Sequence, residues 1–594
     1  MHAGLLLRSR RFGPFFWTQF LGALNDNLFK NALVILFAFG AATSPLSADV
    51  LVNLAGGVFM LPFFLFSALA GQLADKIEKT RIIRAVKAFE VAIMAFGAVG
   101  FAARSVPLLM TALFLMGVHS AVFGPVKFGI LPQHLADEEL VAGNALVESG
   151  TFVAILLGTV LGGVLIALPA GGPAAASAAT LGVALAGWAV CRRIPPAPPS
   201  DPGMRVRWNP VTETWRLVGF AREVPSVWLS ILGVSWFWFY GALFLAQFAG
   251  LGRDVLGGDE HVVTLLLTVF SIGVGAGCML CERLSGDVVE LGLVPLGALG
   301  LTVFALDLAA AAAGAAAPAG TLDVAAFAAS PRHWRLALDL AALAASGGLF
   351  IVPLMAFVQQ RSDPAHRARI IAANNVVSAL LMVIAAGFGI AMKAAGASVP
   401  QLLVVTAVLN VGVALALSAA MPDLFVRLVV WLVAHAVYRV ERRGLEHVPR
   451  SGPAVLVATS ASAVDPLVIA SASRRPIRFV VDDAAYRMPL LRFVLRAGRA
   501  ISIPSRDDPA LLGSAADALA AALAGGELVC LLLEGERPPV CPDVARILAR
   551  SSAPVVPVAL GRIRSRRIEV VCGPPLAPAD ATADVLAARL RALR

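Results

Sequence analysis

The chain has 594 residues, 58% hydrophobic and 14% charged, with a mean hydropathy of +0.81 and a formal charge of +10. Soluble chains carry about 25% charged residues, so an ordinary water-soluble enzyme is excluded along most of this length. On a chain that spans a bilayer, lysine and arginine outside the spans report orientation and contact with anionic lipid, so the basic excess does not call for nucleic acid.

The opening MHAGLLLRSRRFG is too short and too basic for a cleavable signal peptide, and the run after it is long enough to span. A spanning helix needs about 20 mainly apolar residues. Twelve runs qualify, at 13–42, 49–74, 82–103, 106–131, 141–168, 172–193, 225–252, 261–283, 290–316, 333–358, 368–395 and 398–420. The basic connections are the start (Arg8, Arg10, Arg11), Lys76 to Arg84, Arg192 to Arg207 and Arg361 to Arg369, whereas 43–48, 104–105 and 169–171 carry only Arg104. Positive charge stays inside, so a multi-pass protein of the bacterial inner membrane with both termini cytoplasmic is expected. The Pro-rich linker 194–224 divides the spans six and six, giving a transporter-like domain 1–420 with halves 1–193 and 225–420. The halves echo each other: Gly71 to Arg81 follows the second span as Gly277 to Gly286 follows the eighth, and Pro125 to Asn144 resembles Pro353 to Asn374. A parallel repeat of six spans is a common plan of secondary transporters, with the substrate site between the halves.

After Met421 the character changes. Residues 421–443, interrupted by Arg427, Arg439, Arg442 and Arg443, read as an interfacial amphipathic helix. From Gly444 to the end, the apolar runs AVLVAT, IRFVV, AISI, LVCLLL, PVVPVAL and IEVV alternate with Ala/Leu/Arg helices, which predicts an α/β domain. Residues 421–594 hold 23 arginines, no lysine and 16 acidic residues, a net +7 of the total +10.

Ionisable groups inside spans are costly and mark candidate sites. The first span carries Asn25, Asp26, Asn27, Lys30 and Asn31; Asp26 and Lys30 share a helix face, as a structural ion pair or as a cavity lining. Lys87 and Glu90 repeat the pattern in the third span, Asn144 and Glu148 share a face of the fifth, and Asn374 with Asn375 answers them in the eleventh. Trp236, Trp238, Tyr240 and Gln247 give the seventh span amphipathic walls, for packing or for a lipid tail and headgroup. Asp307, alone in the ninth span, reads equally as a helix-contact residue. Six cysteines make no disulfide framework, and Cys278 with Cys281, lacking a second pair, predicts no metal site; no cofactor is expected.

GQLADKIEKTR resembles the signature that follows the second span of the major facilitator superfamily, with Glu78 where glycine is usual. That resemblance implies a cytoplasmic gate of Gly71, Asp75 and Arg81. QFLGALNDNLFKNALVIL, FGPVKFGILPQHLADEELVAGNALVESGTFVAILLGT and LVPLGALGLT together look like the lysophospholipid transporter branch of that superfamily, across nearly all of residues 12–420. The resemblance implies inward movement of lysophospholipid, with Asp26, Lys30, Lys127, Asn144 and Glu148 lining or gating the path. It also implies membrane lipids as surroundings and a separate acyltransferase or acyl-carrier protein as a partner.

The last 151 residues, 444–594, resemble the glycerolipid acyltransferases in four ordered blocks: GLEHVPRSGPAVLVATSASAVDPLVI, AISIPSR, LLLEGERPP and APVVPVAL. That chemistry needs a histidine base and an aspartate five residues on. Here Asp465 stands at the aspartate position, but Ser460 replaces the histidine and Thr459 the asparagine. Of the phosphate-binding segment Glu534, Gly535 and Arg537 persist, with Leu533 and Glu536 as departures, and Arg506 is a candidate headgroup contact. His435 and His447 offer no evident replacement base. The expected protein is therefore an inner-membrane lysophospholipid flippase working by alternating access, carrying an acyltransferase-like scaffold or lipid-binding module without catalytic residues of its own. The alternatives are a bifunctional transporter and lysophospholipid acyltransferase, and an exporter of another amphiphile.

Overall fold

In the computed structural model the chain is described at residues 3–38, 48–285, 289–314, 321–432, 437–449, 452–460, 464–473, 475, 477–482, 499–503, 509–534, 552–564 and 567–593. It divides into two compact units, Met1–Ala420 and Met421–Arg594.

The first unit is built on twelve long helices. They are α1 (Gly13–Ala38), α2 (Ala48–Lys76), α3 (Lys79–Ala102), α4 (Val106–Gly129), α5 (Leu140–Ile166) and α6 (Gly172–Cys191), then α7 (Pro225–Gly250), α8 (Glu260–Ser285), α9 (Leu293–Ala313), α10 (Pro331–Arg361), α11 (Arg367–Ala394) and α12 (Val399–Ala420). Proline opens α4, α6, α7 and α10, where its missing N–H costs nothing and its fixed φ suits the first turn. Among the described residues ten of the twelve are long and apolar enough to cross a membrane. The other two are α1 and α3, whose Asn25, Asp26, Lys30, Lys87 and Glu90 dilute the apolar run.

The repeat seen in the sequence is a repeat in space. Within the first half α1 packs on α5 and α2 on α4; within the second, α7 packs on α11 and α8 on α10. Between the halves α2 lies on α11, and its counterpart α8 lies on α5. Close approach of α1 and α5 depends on Gly158 and Gly162, one turn apart: a Cβ on either would collide with the backbone carbonyls of Leu24 and Leu28.

The inter-half linker runs extended and then forms a helix at Pro210–Glu223, whose first amides are capped by Asn209. It is tied down at the α2–α3 turn: Lys79 N–H donates to Ala197 O (3.0 Å), Asp201 N–H to Asp75 O (2.8 Å), and the Gln72 amide exchanges two bonds with the Arg207 backbone (2.8 and 3.0 Å).

The second unit is an α/β sandwich around one seven-stranded sheet: β1 (Arg439–Arg443), β2 (Ala454–Ser460), β3 (Ile477–Asp482), β4 (Ile501–Ile503), β5 (Leu528–Glu534), β6 (Val555–Arg564) and β7 (Arg567–Cys572). The order is β1-β7-β6-β2-β5-β3-β4; only β6 and β7 pair antiparallel. Ala454, Leu456 and Ala458 of β2 pack with the helix Asp465–Ala472 on one face. Val455 and Val457 pack with Pro509–Ala524 and Ala583–Ala592 on the other. All six apolar runs expected as strands are strands.

One expectation is corrected here. Residues 421–443 are not a continuous interfacial helix: the helix is Pro422–Leu432, and Arg439–Arg443 is edge strand β1. Tyr438 and Val440 pack into the sheet core, while Glu441 and Arg443 pair with Arg567 and Glu569 of β7 (3.5 and 2.6 Å). Alternation of period two, not the arginine content, decides this segment. Burial also sets the two described thiols of this unit: Cys572 is pushed up to about 11 and Cys530, inside β5, is pushed up as well. The thiolate is the nucleophile, so a raised pKa lowers reactivity at neutral pH. Both thiols are expected to resist a maleimide at pH 8 until denaturant is added, as read by mass spectrometry of the labelled peptides.

Candidate functional site

The polar groups of the first unit fall into connected sets along the facing helices. The innermost set is a sealed charge cluster: Lys87 Nζ sits 2.6 Å from Glu90 Oε2, Asn25 Nδ2 donates to Glu90 Oε1 (2.8 Å), and His119 Nε2 lies 3.3 Å from Glu90 Oε2. All four side chains are within 2% of complete burial. Lys87 also lies over the Phe123 ring at 5.3 Å. Lys87, Asn25 and Glu90 are enclosed by α1, α3 and α4.

One residue along α1, Asp26 takes a hydrogen bond from Ser120 (2.7 Å) on one oxygen. Its other oxygen is buried with no partner among the described residues. Lys30 is its charged counterpart and lies 5.6 Å from the centre of the Phe59 ring on α2. Asn27 bonds back to Ala23 O (2.8 Å) and Asn31 donates to Thr159 O on α5 (2.6 Å), so both serve the helices themselves.

On α4 Lys127 donates to Thr151 (2.9 Å), whose hydroxyl donates to Gln19 (3.1 Å) or to Val147 O (2.7 Å). Its electrostatic partner is Glu148, which is 2% exposed on α5. Lys30, Lys87 and Lys127 thus stand against Asp26, Glu90 and Glu148, so the first half offers both signs in balance. Such an inventory can meet a zwitterionic group with donors and acceptors without leaving net charge in a low-dielectric interior.

Among the described residues, buried hydrogen bonds join this half to the second at two places. Asn144 on α5 and Gln359 on α10 exchange reciprocal amide bonds (2.7 and 2.9 Å), both fully buried. Removing one partner of a buried pair strands the other at a cost of about 1–3 kcal/mol. An Asn144→Ala protein is therefore expected to hold its halves together less tightly, read as faster hydrogen exchange in peptides containing Gln359. Asn375 of α11 faces Gly124 on α4, and Asn374 is buried beside it with an oxygen lacking a partner among the described residues.

The second contact is at Asp75, one of the residues expected to form the gate. Asp75, wholly buried at the end of α2, accepts from the first amides of α11, Ala368 N (3.2 Å) and Arg369 N (3.3 Å), and from Arg369 Nε (3.0 Å). A carboxylate of one half thereby caps a helix N-terminus of the other, where the helix dipole favours negative charge. Gly71, one turn before, permits the approach: a Cβ there would come within 2.7 Å of Ala372 Cβ and 3.1 Å of Arg369 Cα. Arg369 reaches on to Asp201 of the linker (3.5 Å) and lies over Phe220 (5.2 Å). Arg81 is not brought to Asp75. Its side chain is 77% exposed and pairs with Glu78 (2.9 Å), the residue at the departure from the usual signature.

Among the aromatic candidates only Trp238 touches both halves, stacking on Phe152 of α5 (6.3 Å). Trp236 donates to Asn410 on α12 (2.9 Å) and stacks on Phe239. Tyr240 donates to Leu301 O (3.0 Å) and stacks on Phe244. Those two hold α7 to its own half, while Gln247 bonds only within α7, to Leu243 O (3.4 Å). His119, Ser120, Gln359 and Arg369 are the site residues that the sequence reading passed over. An ionisable residue in mid-span flags His119; the rest only make sense once their partners are known.

In the second unit β2 and β5 pair in register, so Ser460 stands beside Glu534 at the carboxyl ends of parallel strands, and Asp465 opens the helix that follows β2. That edge is where ligands of open parallel sheets bind. Arg506, Gly535 and Arg537 lie outside the described residues, as does His435. His447 is held by Cys572 O (2.9 Å) at the end of β7, which is separated from β2 by β6.

A Major Facilitator Superfamily model matches residues 15–387, well over half of the chain. The chain belongs to the major facilitator superfamily. A second model, described as Acyltransferase, matches residues 439–561. Over 392 residues the chain is 28% identical to the lysophospholipid transporter LplT of Enterobacter sp. (strain 638), covering 63% of this chain and 87% of that protein. It is also 28% identical over 377 residues to the LplT protein of Escherichia coli O157:H7, covering 61% and 83%. Among solved structures it is similar to the human organic anion transporter MFSD10 (TM-score 0.55, 15% identity, covering 69% of this chain and 99% of that one). It is likewise similar to the E. coli fucose:proton symporter FucP (TM-score 0.52, 13% identity, covering 69% and 98%). At these identities the solved structures speak for the fold alone. The superfamily signature residues Gly71 and Asp75 thus sit in the inter-half contact, and the acyltransferase-type unit follows it in the same chain.

Proposed function

We propose that this chain moves lysophospholipid across the bacterial inner membrane, towards the cytoplasmic leaflet, by alternating access. The observation that carries the reading is the balanced, intramembrane set of Asp26, Lys30, Lys127 and Glu148 beside an inter-half contact that closes at Asp75 and Arg369. A headgroup needs donors and acceptors at mid-depth, and a cycle needs a contact that opens and shuts. The similarity to proteins named lysophospholipid transporter supports the choice of cargo. Asn374, Asn375 and Trp238 complete the path from the second half, and both termini of the transporter unit are cytoplasmic.

The test is uptake of a fluorescent lysophospholipid into the inner leaflet of proteoliposomes, measured by albumin back-extraction. Asp26→Asn with Lys30→Gln keeps shape and cancels both charges, and it is expected to lower the initial rate at least tenfold with little change in melting temperature. Wild-type rates in that variant would remove both residues from the headgroup path.

The acyltransferase-type unit is proposed to be non-catalytic, a scaffold or lipid-binding module. The sheet brings position 460 next to Glu534, but serine is no general base near neutral pH, and His447 is occupied at the end of β7, with β6 lying between that strand and β2.

A further inference from the structure

One charged group has no part in the path between the halves. On α9 Asp307 holds Arg335 of α10 in a two-pronged pair, with Arg335 Nε 3.2 Å from one carboxylate oxygen. A single guanidinium satisfies one carboxylate, yet a second, Asp339, stands one turn further along α10 and abuts Asp307. Asp339 is 93% buried, and one of its oxygens has no partner among the described residues. With both carboxyls ionised, the three groups carry one negative charge in excess of the guanidinium. A structural pair would have been complete without Asp339, which leaves two adjoining carboxyls to one guanidinium and room for a second cation beside them.

Asp339 itself borders an opening. Asp339 and Arg335 line an open cleft of about 600 Å³ whose other walls are apolar, chiefly Trp334 and Leu338. Both of those side chains face outwards, at 60% and 67% exposure, and the Trp334 indole is fixed by a bond to Ala328 O (2.6 Å). The cleft is at the end of α10 opposite the Asp75–Arg369 contact, since α10 runs from Pro331 here to Arg361 next to α11. At about 1.5 Å per residue, α10 is roughly 46 Å long against a hydrocarbon core of about 30 Å. Centred on that core, about 8 Å of the helix projects at each end, so Arg335, about 6 Å in, sits at headgroup depth and Asp339, about 12 Å in, just beneath it, with apolar surface below.

We propose that this cleft binds the headgroup of an amine-bearing phospholipid: the primary ammonium on Asp339 and Asp307, the phosphate on the remaining donors of Arg335, and an acyl chain along Trp334 and Leu338. Arginine has five N–H donors, so it can hold Asp307 and a phosphate together. The residual negative charge selects ethanolamine over glycerol headgroups. The site is separate from the path between the halves and is occupied at equilibrium, so it stands or falls independently of transport.

The test is quenching of Trp334 fluorescence in the purified full-length protein by lysolipids brominated on the acyl chain, taken as the difference between wild type and Trp334→Phe. Lysophosphatidylethanolamine is expected to quench saturably, with an affinity at least tenfold above lysophosphatidylglycerol. Asp339→Asn should bring the ethanolamine lipid down to the glycerol level and leave the glycerol lipid unchanged. Equal quenching by the two headgroups in wild-type protein, a comparison that needs no variant to fold, would overturn the proposal, and so would an unaltered preference in Asp339→Asn.

Discussion

Arg369→Ala is expected to spring the inter-half contact and raise hydrogen exchange at the start of α11 by two to three orders of magnitude. The amides of Ala368 and Arg369 donate to Asp75, and the Arg369 guanidinium neutralises it. With the guanidinium gone, Asp75 is a fully buried carboxylate held by two backbone bonds and only partly offset by the neighbouring Lys79 ammonium. Breaking a buried pair by removing one partner costs about 3–5 kcal/mol because the remaining charge is uncompensated. Opening the halves to water is the cheapest relief, so the energy appears as a shift in that equilibrium rather than as global unfolding. Asp75→Asn combined with Arg369→Gln removes both charges and keeps an acceptor for the helix N-terminus, and it should exchange far less than the single variant. Exchange mass spectrometry on peptides spanning 366–373 checks this. Wild-type protection in Arg369→Ala would show that the contact does not control closure.

The second large effect is expected at Glu90. Lys87, Asn25 and His119 all point at its carboxylate from three helices, and none of the four has access to water. Glu90→Leu leaves the Lys87 ammonium stranded and is expected to cost about 3–5 kcal/mol, read as a fall in melting temperature in detergent. Lys87→Met with Glu90→Leu replaces the pair by apolar groups of similar volume and should recover most of that loss, since desolvating an ion pair returns little net energy. A double variant as unstable as the single one would mean that the cluster is held by shape rather than charge.

The sequence revealed the helices readily and their partners poorly. Bilayer solvation forces long apolar runs, so all twelve spans were legible, down to Pro331 opening α10 within two residues of the expected start. The repeat was legible because Gly71 and Gly277 recur after matching spans. The Asp75 contact was half legible: Asp75 stands in a signature, but Arg369 comes from 294 residues away and nothing local marks it. Gln359 is hidden from Asn144 in the same way, 215 residues apart. Trp236 and Tyr240 read as walls because hydropathy cannot say towards which neighbour an amphipathic ring turns; Asn410 and Leu301 settle that. Arg439 to Arg443 read as lipid-facing helix because four arginines outweighed a short alternation, and strand β1 exists only through its pairing with β7.

One measurement reaches the central reading directly. Proteoliposomes of the wild-type chain, given lysophospholipid labelled in its single acyl chain together with an acyl donor, can be assayed at once for protected lipid and for its chemical form. Protein-dependent accumulation of label that remains lysophospholipid is the result predicted for a transporter with a non-catalytic second unit. Conversion of the label to diacyl phospholipid, or movement no faster than in protein-free vesicles, would contradict it.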